Sequence, residues 1–135
     1  MDGWTQFNVA TIEAAMPTDL DVLYRAWVNE YPSKATRLVC LVAETLARFR
    51  GVVELDPAVE LDVAEDTIPL LGFQYAVKLT LFNLGMEMGV QMSPEASKLM
   101  TEIDVWLRMV ASGTVKAVPA VSRGMPRYSC VRREA

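Results

Sequence analysis

The chain of 135 residues contains no histidine and only two cysteines. It therefore lacks the commonest general base, the commonest transition-metal ligand and the usual activator of a serine or cysteine nucleophile. Cys40 and Cys130 are too far apart in sequence for the ligand spacing of a structural zinc site. We therefore expect no catalytic residues, no metal site and no cofactor, and we predict that the protein is not an enzyme.

Other absences narrow the class of protein further. There is no run of about eighteen apolar residues, so we expect no membrane span, and no basic-then-apolar leader, so we expect no signal peptide. No glycine-rich loop could hold a phosphate, because Gly85, Gly89 and Gly113 fall at predicted helix ends. The interpretation as an enzyme is supported only by the acids of residues 62–66. These acids lack the ligand spacing and the glycine of a calcium-binding loop. We expect a cytoplasmic protein with free thiols.

Apolar residues are abundant, at 52% of the chain with eight methionines. Such an excess indicates apolar surface beyond a private core, most simply an interface with a partner or with further copies. A well-filled helical core is the alternative interpretation.

Charge is divided unevenly along the chain. Residues 1–113 carry 8 Lys and Arg against 16 Asp and Glu, a net of −8, whereas residues 114–135 carry 5 against 1, a net of +4. We predict a helical body over 1–113 and an extended basic C-terminal arm over 114–135. This asymmetry favours head-to-tail association or docking to an acidic partner.

The predicted fold is mainly α, a small helical bundle of about four helices. Residues 4–16 have a weak helical pattern or form an extended segment. A capping box of Thr18 and Asp21 opens the next helix, which Pro32 stops. Ser33 caps a third element, whose apolar face continues to Phe49, and Gly51 ends it.

A short β or extended excursion is predicted near residues 52–66, where apolar residues fall on odd numbers and acids on even numbers. The alternating acids are Glu54, Asp56, Glu60 and Asp62. They form either a solvated strand face or a negative surface that faces a channel or a basic partner.

Two helices follow this excursion. Thr67 is predicted to cap a helix over residues 68–88 that is apolar nearly all round, so it is buried by its own chain or by a neighbouring subunit. Ser93, Pro94 and Glu95 then combine an N-cap, a proline at the first helical position and an acid in the first turn. This last helix has a clean apolar stripe and closes at Gly113.

The final stretch, VKAVPAVSRGMPRYSCVRREA, has two prolines and no helical period. We predict that it is extended and that it binds a partner through alternating apolar and charged side chains. The predicted contact residues are Lys116, Val118, Val121, Arg123, Met125, Arg127, Tyr128, Arg132 and Arg133. Two alternatives are a tail that is disordered in the free protein and a tail that grips nucleic acid, as in a small helical nucleic-acid-binding regulator.

The chain resembles the head–tail adaptor (connector) proteins of tailed bacteriophages. The resemblance rests on the acidic stretch and capped apolar helix of residues 66–89, the Ser-Pro-capped helix of residues 93–115 and the SRGMPRY arm of residues 122–128. Some adaptor families end their last helix in a similar pattern, formed here by Leu107, Ala111, Gly113 and Val115. The match covers roughly the C-terminal half.

This resemblance implies a structural virion protein at the head–tail junction, assembled in the host cytoplasm. Such adaptors form an oligomeric ring, typically of twelve copies, below the portal protein. The ring extends the channel through which genomic DNA passes without specific binding, and it carries the tail or head-closure proteins. The C-terminal arm is implied to dock on the portal. A head-closure or tail-completion protein, one layer further down, is the alternative.

Overall fold

Helices account for most of residues 2–118, the part of the chain that the computed structural model describes. This confirms the predicted class, a mainly α protein built as a small helical bundle. The described residues contain five α-helices and one two-stranded antiparallel sheet. The helices are α1 (Val9–Ala15), α2 (Thr18–Glu30), α3 (Arg37–Glu54), α4 (Phe73–Glu87) and α5 (Pro94–Ala111).

The N-terminal segment is first extended and then helical, so it contains both structures that its weak pattern allowed. Strand β1 (Trp4–Gln6) pairs antiparallel with β2 (Thr67–Pro69), with Thr5 opposite Ile68. Asn8 then caps α1, because its side chain accepts a hydrogen bond from the Thr11 backbone N–H at 3.0 Å. The sheet therefore ties the start of the chain to its middle.

Helix α2 starts at Thr18, which was predicted to be its cap, and therefore begins one residue earlier than predicted. Pro17 occupies the N-cap position with no side-chain hydrogen bond, and Asp21 instead accepts from Arg25 at 3.1 Å. The helix ends before Pro32, as predicted, but the Ser33 cap is wrong, since residues Pro32–Thr36 form a short 3-10 helix. No residue of α2 is fully buried.

Helix α3 continues past Gly51, so the predicted end at this glycine is wrong. Its last turn is held by packing, because Val53 is buried against Val110 and Ala117. Tertiary burial thus outweighs the poor helix propensity of glycine. Residues 55–66 leave the helical path but pair with no strand among the described residues, and the nearest strand is β2, just beyond them. The predicted excursion over residues 52–66 thus begins three residues later than predicted, because residues 52–54 belong to α3, and it is a loop, which we call the acidic loop.

Helix α4 is the central helix of the bundle. It begins at Phe73 instead of near residue 68, because Thr67–Pro69 join the sheet and Leu70–Gly72 form a 3-10 turn. Its buried residues come from nearly every side, and they pack against α1, α3 and α5 of the same chain. They are Ala76, Val77, Leu79, Thr80, Leu81, Leu84 and Gly85. The continuous apolar pattern is thus largely explained within one chain.

Helix α5 matches its prediction closely. The Ser93 hydroxyl accepts from the Ala96 backbone N–H at 3.1 Å, with Pro94 at the first helical position. Its inner face buries Ile103, Leu107 and Val110. Gly113 turns the chain with a φ of +80°, a conformation that glycine adopts without strain.

Two apolar clusters hold the body together. The larger one lies among α1, α3, α4 and α5 and includes a polar pair, Thr45 and Thr80, whose hydroxyl oxygens are 2.8 Å apart. The smaller cluster, which we call the second cluster, contains Val53, Val110 and Ala117, with Trp4 packed against it. The second cluster lies where the C-terminal segment meets the body.

Candidate functional site

The C-terminal segment leaves the body from a defined position. After Gly113 the chain reverses, and the backbone N–H groups of Thr114 and Val115 both donate to the Met109 carbonyl, at 2.9 and 3.2 Å. The hydroxyls of Ser112 and Thr114 are 2.8 Å apart. These contacts direct residues 114–118 back onto the body instead of away from it.

Ala117 is built into the body. Its side chain is 2% exposed within the second cluster, and its carbonyl accepts a hydrogen bond from the Leu71 backbone N–H at 3.1 Å. The contacts of the body therefore extend at least four residues beyond Gly113, the predicted boundary between body and arm. A truncation that keeps these contacts of the body must therefore be placed after Val118, the last described residue.

An ion pair fixes the neighbouring residue. The Lys116 ammonium donates to Asp56 Oδ2 at 2.9 Å, and the Asp56 side chain is only 8% exposed. The Ala58 backbone N–H donates to the other carboxylate oxygen at 3.1 Å. The hydrogen bond from Lys116, supported by that from Ala58, holds the pKa of Asp56 below its ordinary value. Asp56 is thus a charged anchor for the start of the arm.

Arg50 holds the acidic loop in place. Its guanidinium donates to the carbonyls of Asp62, Ala64 and Thr67 at 2.7, 3.1 and 2.7 Å, and it lies 5.1 Å from the ring centroid of Trp4. The fork of five donors suits arginine, whereas lysine could not reproduce these bonds. The loop that carries Asp56 therefore has a fixed position on α3.

The four predicted channel-facing or partner-facing acids divide into two pairs. Glu54 and Glu60 are exposed, as the prediction requires. Asp56 and Asp62 are buried. Because the alternating pattern does not form a strand, the even-numbered acids do not share one solvent face. Asp62 accepts from the Thr67 hydroxyl at 2.7 Å, which lowers its pKa.

Apolar side chains are exposed around this exit. Leu55, next to the lysine-binding Asp56, is 66% exposed, and Leu71, next to the Ala117 carbonyl, is 54% exposed. We call these two residues, with Leu70 and the exposed acids Glu54 and Glu60, the exit surface. It combines apolar contact area with negative charge at the place where the described chain ends.

The remaining predicted arm residues lie outside the part that the structure describes. Lys116 and Val118 are described, and the other predicted contact residues are not: Val121, Arg123, Met125, Arg127, Tyr128, Arg132 and Arg133. Three residues of the exit were missed by the sequence reasoning, namely Arg50, Leu71 and Ala117. Only Arg50 had a signal, since it is the last arginine before a stretch of acids whose backbone carbonyls it can bind.

A second apolar surface lies toward the C-terminal end of α4. An open cavity of about 260 Å³ is lined mostly by apolar side chains from the start of α2, the end of α4 and the start of α5. Leu20, Phe82 and Met86 contribute to it, and among the described residues that line it Lys78 alone is charged. Val22 and Leu23 of α2 are also exposed. This surface can accept apolar side chains.

Two kinds of feature are absent from residues 2–118, a metal-binding cluster and a membrane-spanning helix. No three Cys, Asp or Glu side chains in that range are grouped so as to hold a metal ion. No helix in the same range has the length and apolar character needed to cross a membrane. Comparison of the chain with protein-family models, curated proteins and solved structures finds no match.

Proposed function

We propose that this protein is a structural head–tail adaptor of a tailed bacteriophage, which docks on the portal ring through residues 119–135. The observation that carries the proposal is the exit of the C-terminal segment. Lys116 and Ala117 anchor its start on the body, through Asp56 and the second cluster. The 17 residues that follow Val118 carry four arginines, which suit an acidic partner.

The charge balance supports a protein partner for this segment. Arginines among apolar residues are favoured anchors in protein interfaces, and they bind carboxylates with two parallel hydrogen bonds. A nucleic acid would instead meet the acidic body, which carries 16 acids against 8 bases in residues 1–113. An acidic docking surface on the portal is therefore the favoured target.

Ring formation is supported by the surface around α2. This helix buries no residue completely and exposes Val22 and Leu23, and its Leu20 lines the apolar cavity. Exposed apolar area of this kind is typical of a surface that another subunit covers. We propose that neighbouring copies pack through it, in a ring of about twelve as in the adaptors that the chain resembles.

The exposed acids suit the DNA channel of such a ring. Glu54 at the end of α3 and Glu60 in the acidic loop face solvent, and Glu65 and Asp66 of that loop are also exposed. A negative lining repels the phosphate backbone, so DNA would slide through without binding. Asp56 and Asp62 have a different role here, since each is used inside the subunit.

Truncation after Val118 tests the proposal. We expect the truncated chain to keep its far-UV circular dichroism spectrum and thermal transition but to lose binding to purified portal rings, measured by sedimentation. A full-length control with Arg123, Arg127, Arg132 and Arg133 replaced by Glu should also fail to bind. Undiminished portal binding by the truncated chain would contradict the proposal. Salt-sensitive binding to DNA fragments by the full chain alone would favour the nucleic-acid-binding alternative.

A further inference from the structure

The exit surface exposes apolar and acidic side chains that can contact a ligand. Leu55, the sequence neighbour of the lysine-binding Asp56, and Leu71, whose backbone N–H binds the Ala117 carbonyl, both expose more than half of their side chains. Glu54 and Glu60 add negative charge with no hydrogen-bond or ion-pair partner among the described residues. A ligand for this surface would therefore be an extended segment with apolar and basic side chains.

The chain itself carries such a segment directly after the exit. Residues 119–135 contain four arginines against one glutamate, interspersed with Val121, Met125 and Tyr128. Their first neighbours on the chain already lie on this surface, because Lys116 pairs with Asp56 and the Ala117 carbonyl accepts from Leu71. The charge of the segment thus complements the surface beside which it begins.

We propose that, in the free protein, residues 119–135 pack in cis on the exit surface of their own chain. Tethering raises the effective concentration of the segment at this surface to the millimolar range, well above the micromolar concentration of other copies. Extended, the 17 residues could reach about 56 Å, far enough to follow the surface and turn back. A partner that binds the segment must then compete with the exit surface for it. The segment is therefore released only to an acidic site that binds it more strongly than the exit surface does.

Photo-crosslinking in the full-length protein tests this contact. A p-benzoylphenylalanine at position 71 should cross-link to residues 119–135, whereas the same group at Val39, which is 56% exposed on the first turn of α3, should not. Equal amounts of ¹⁴N-labelled and ¹⁵N-labelled protein are mixed before irradiation. We expect cross-linked peptides of a single isotope, at a yield several-fold above the Val39 control.

Charge reversal provides the second part of the test. The pair Glu54→Lys and Glu60→Lys should lower the yield about fivefold, as loss of two exposed ion pairs implies. Adding Arg123→Glu and Arg127→Glu should restore it. Should the reversed chains fail to fold by circular dichroism, the wild-type yield is followed as salt rises from about 50 to about 500 mM, where a fall is expected.

Three results would overturn the proposal: a yield at position 71 equal to that at Val39, cross-links between the two isotopes, or a yield that ignores both charge reversal and salt. The second result would place the segment on a neighbouring copy instead. The proposal concerns the free chain and stands without the portal. Its failure would leave the truncation result unchanged, so the two ideas fail separately.

Discussion

Gly72 lies where the chain has no room for a β-carbon. A methyl group there would lie 2.7 Å from Cη2 of Trp106 and 3.3 Å from Cδ2 of Phe49. Two rings flank the indole, since its ring centroid is 6.0 Å from that of Phe49 and 5.4 Å from that of Tyr75. The backbone of Gly72, with a φ of −101°, is open to any residue. Gly72→Ala therefore tests packing and not backbone strain.

The expected cost follows from two opposing effects. Overpacking of a rigid core typically costs about 1–3 kcal/mol. Replacement of glycine by alanine recovers about 0.4–1 kcal/mol, because the unfolded chain loses conformational freedom. We expect Gly72→Ala to lower the free energy of unfolding by about 1–2 kcal/mol. With a typical urea dependence of about 1–3 kcal/mol per molar, the urea midpoint should fall by roughly 0.5–1 M.

Gly51→Ala is the matched control for this change. Gly51 is exposed inside α3, and a β-carbon added to it would have no atom within 4 Å. The same methyl group should therefore raise the stability by about 0.5–1 kcal/mol, because alanine is the better helix former. Both variants are unfolded in urea at one protein concentration and followed by far-UV circular dichroism.

A double variant identifies the clashing group. In a Trp106→Leu background, Gly72→Ala should cost much less, since the indole is gone. The reasoning would be refuted if Gly72→Ala were as stable as the wild type, if it behaved like Gly51→Ala, or if its cost persisted without Trp106.

Three other outcomes are expected from the contacts described above. Thr80→Val should cost about 0.5–1.5 kcal/mol in urea unfolding, and the double change with Thr45→Val should cost less than the sum of the two single changes, because either single change already removes the hydrogen bond that the two hydroxyls share. The pKa of Asp56 is lowered in the folded state, so its contribution to stability is complete above the unfolded pKa and disappears as the pH falls through the folded one; the thermal stabilities of Asp56→Asn and wild type should therefore differ at about pH 7, and the difference should start to shrink only below about pH 4, the ordinary pKa of Asp, whereas a difference that stays constant on further acidification would contradict the role of the charge. Arg50→Lys should keep the helical content but accelerate cleavage of the acidic loop by a glutamate-specific protease, with Arg48→Lys, an exposed neighbour, as the unaffected control.

Elements with complete local signals could be predicted from the sequence. The start of α5 is specified by three adjacent residues, and Gly113 ends that helix through its own conformation. The apolar pattern of α4 likewise predicted a central helix. Signals of this kind act within a few residues, so no knowledge of distant contacts was needed.

Errors arose where distant residues decide the local structure. Gly51 is a plausible helix end, but the burial of Val53 against Val110 and Ala117 continues α3 beyond it. Thr67 has the character of a helix cap, yet pairing of its strand with residues 4–6, some sixty positions away, places it in a sheet. Neither partner can be identified from the neighbouring sequence.

The candidate site was predicted only in outline. The charge split located the C-terminal segment as a separate functional element, but its attachment to the body depends on Ala117, whose small apolar side chain carries no sequence signal. The alternation of acids suggested one negative face, whereas Lys116 and Thr67 hold two of those acids inside the subunit. A charge pattern thus predicts the sign of the partner's charge more reliably than it predicts which residues contact the partner.

The second cluster has a consequence for how the chain folds. It joins Trp4, near one end of the described residues, to Ala117, near the other, through Val53 and Val110. Its contacts therefore close the longest loops in the body, and contacts of that separation form late in folding. During synthesis, helices α1 to α4 can associate while the C-terminal residues are still inside the ribosome. The second cluster must wait for Ala117, so the body is completed only when the arm itself is about to emerge.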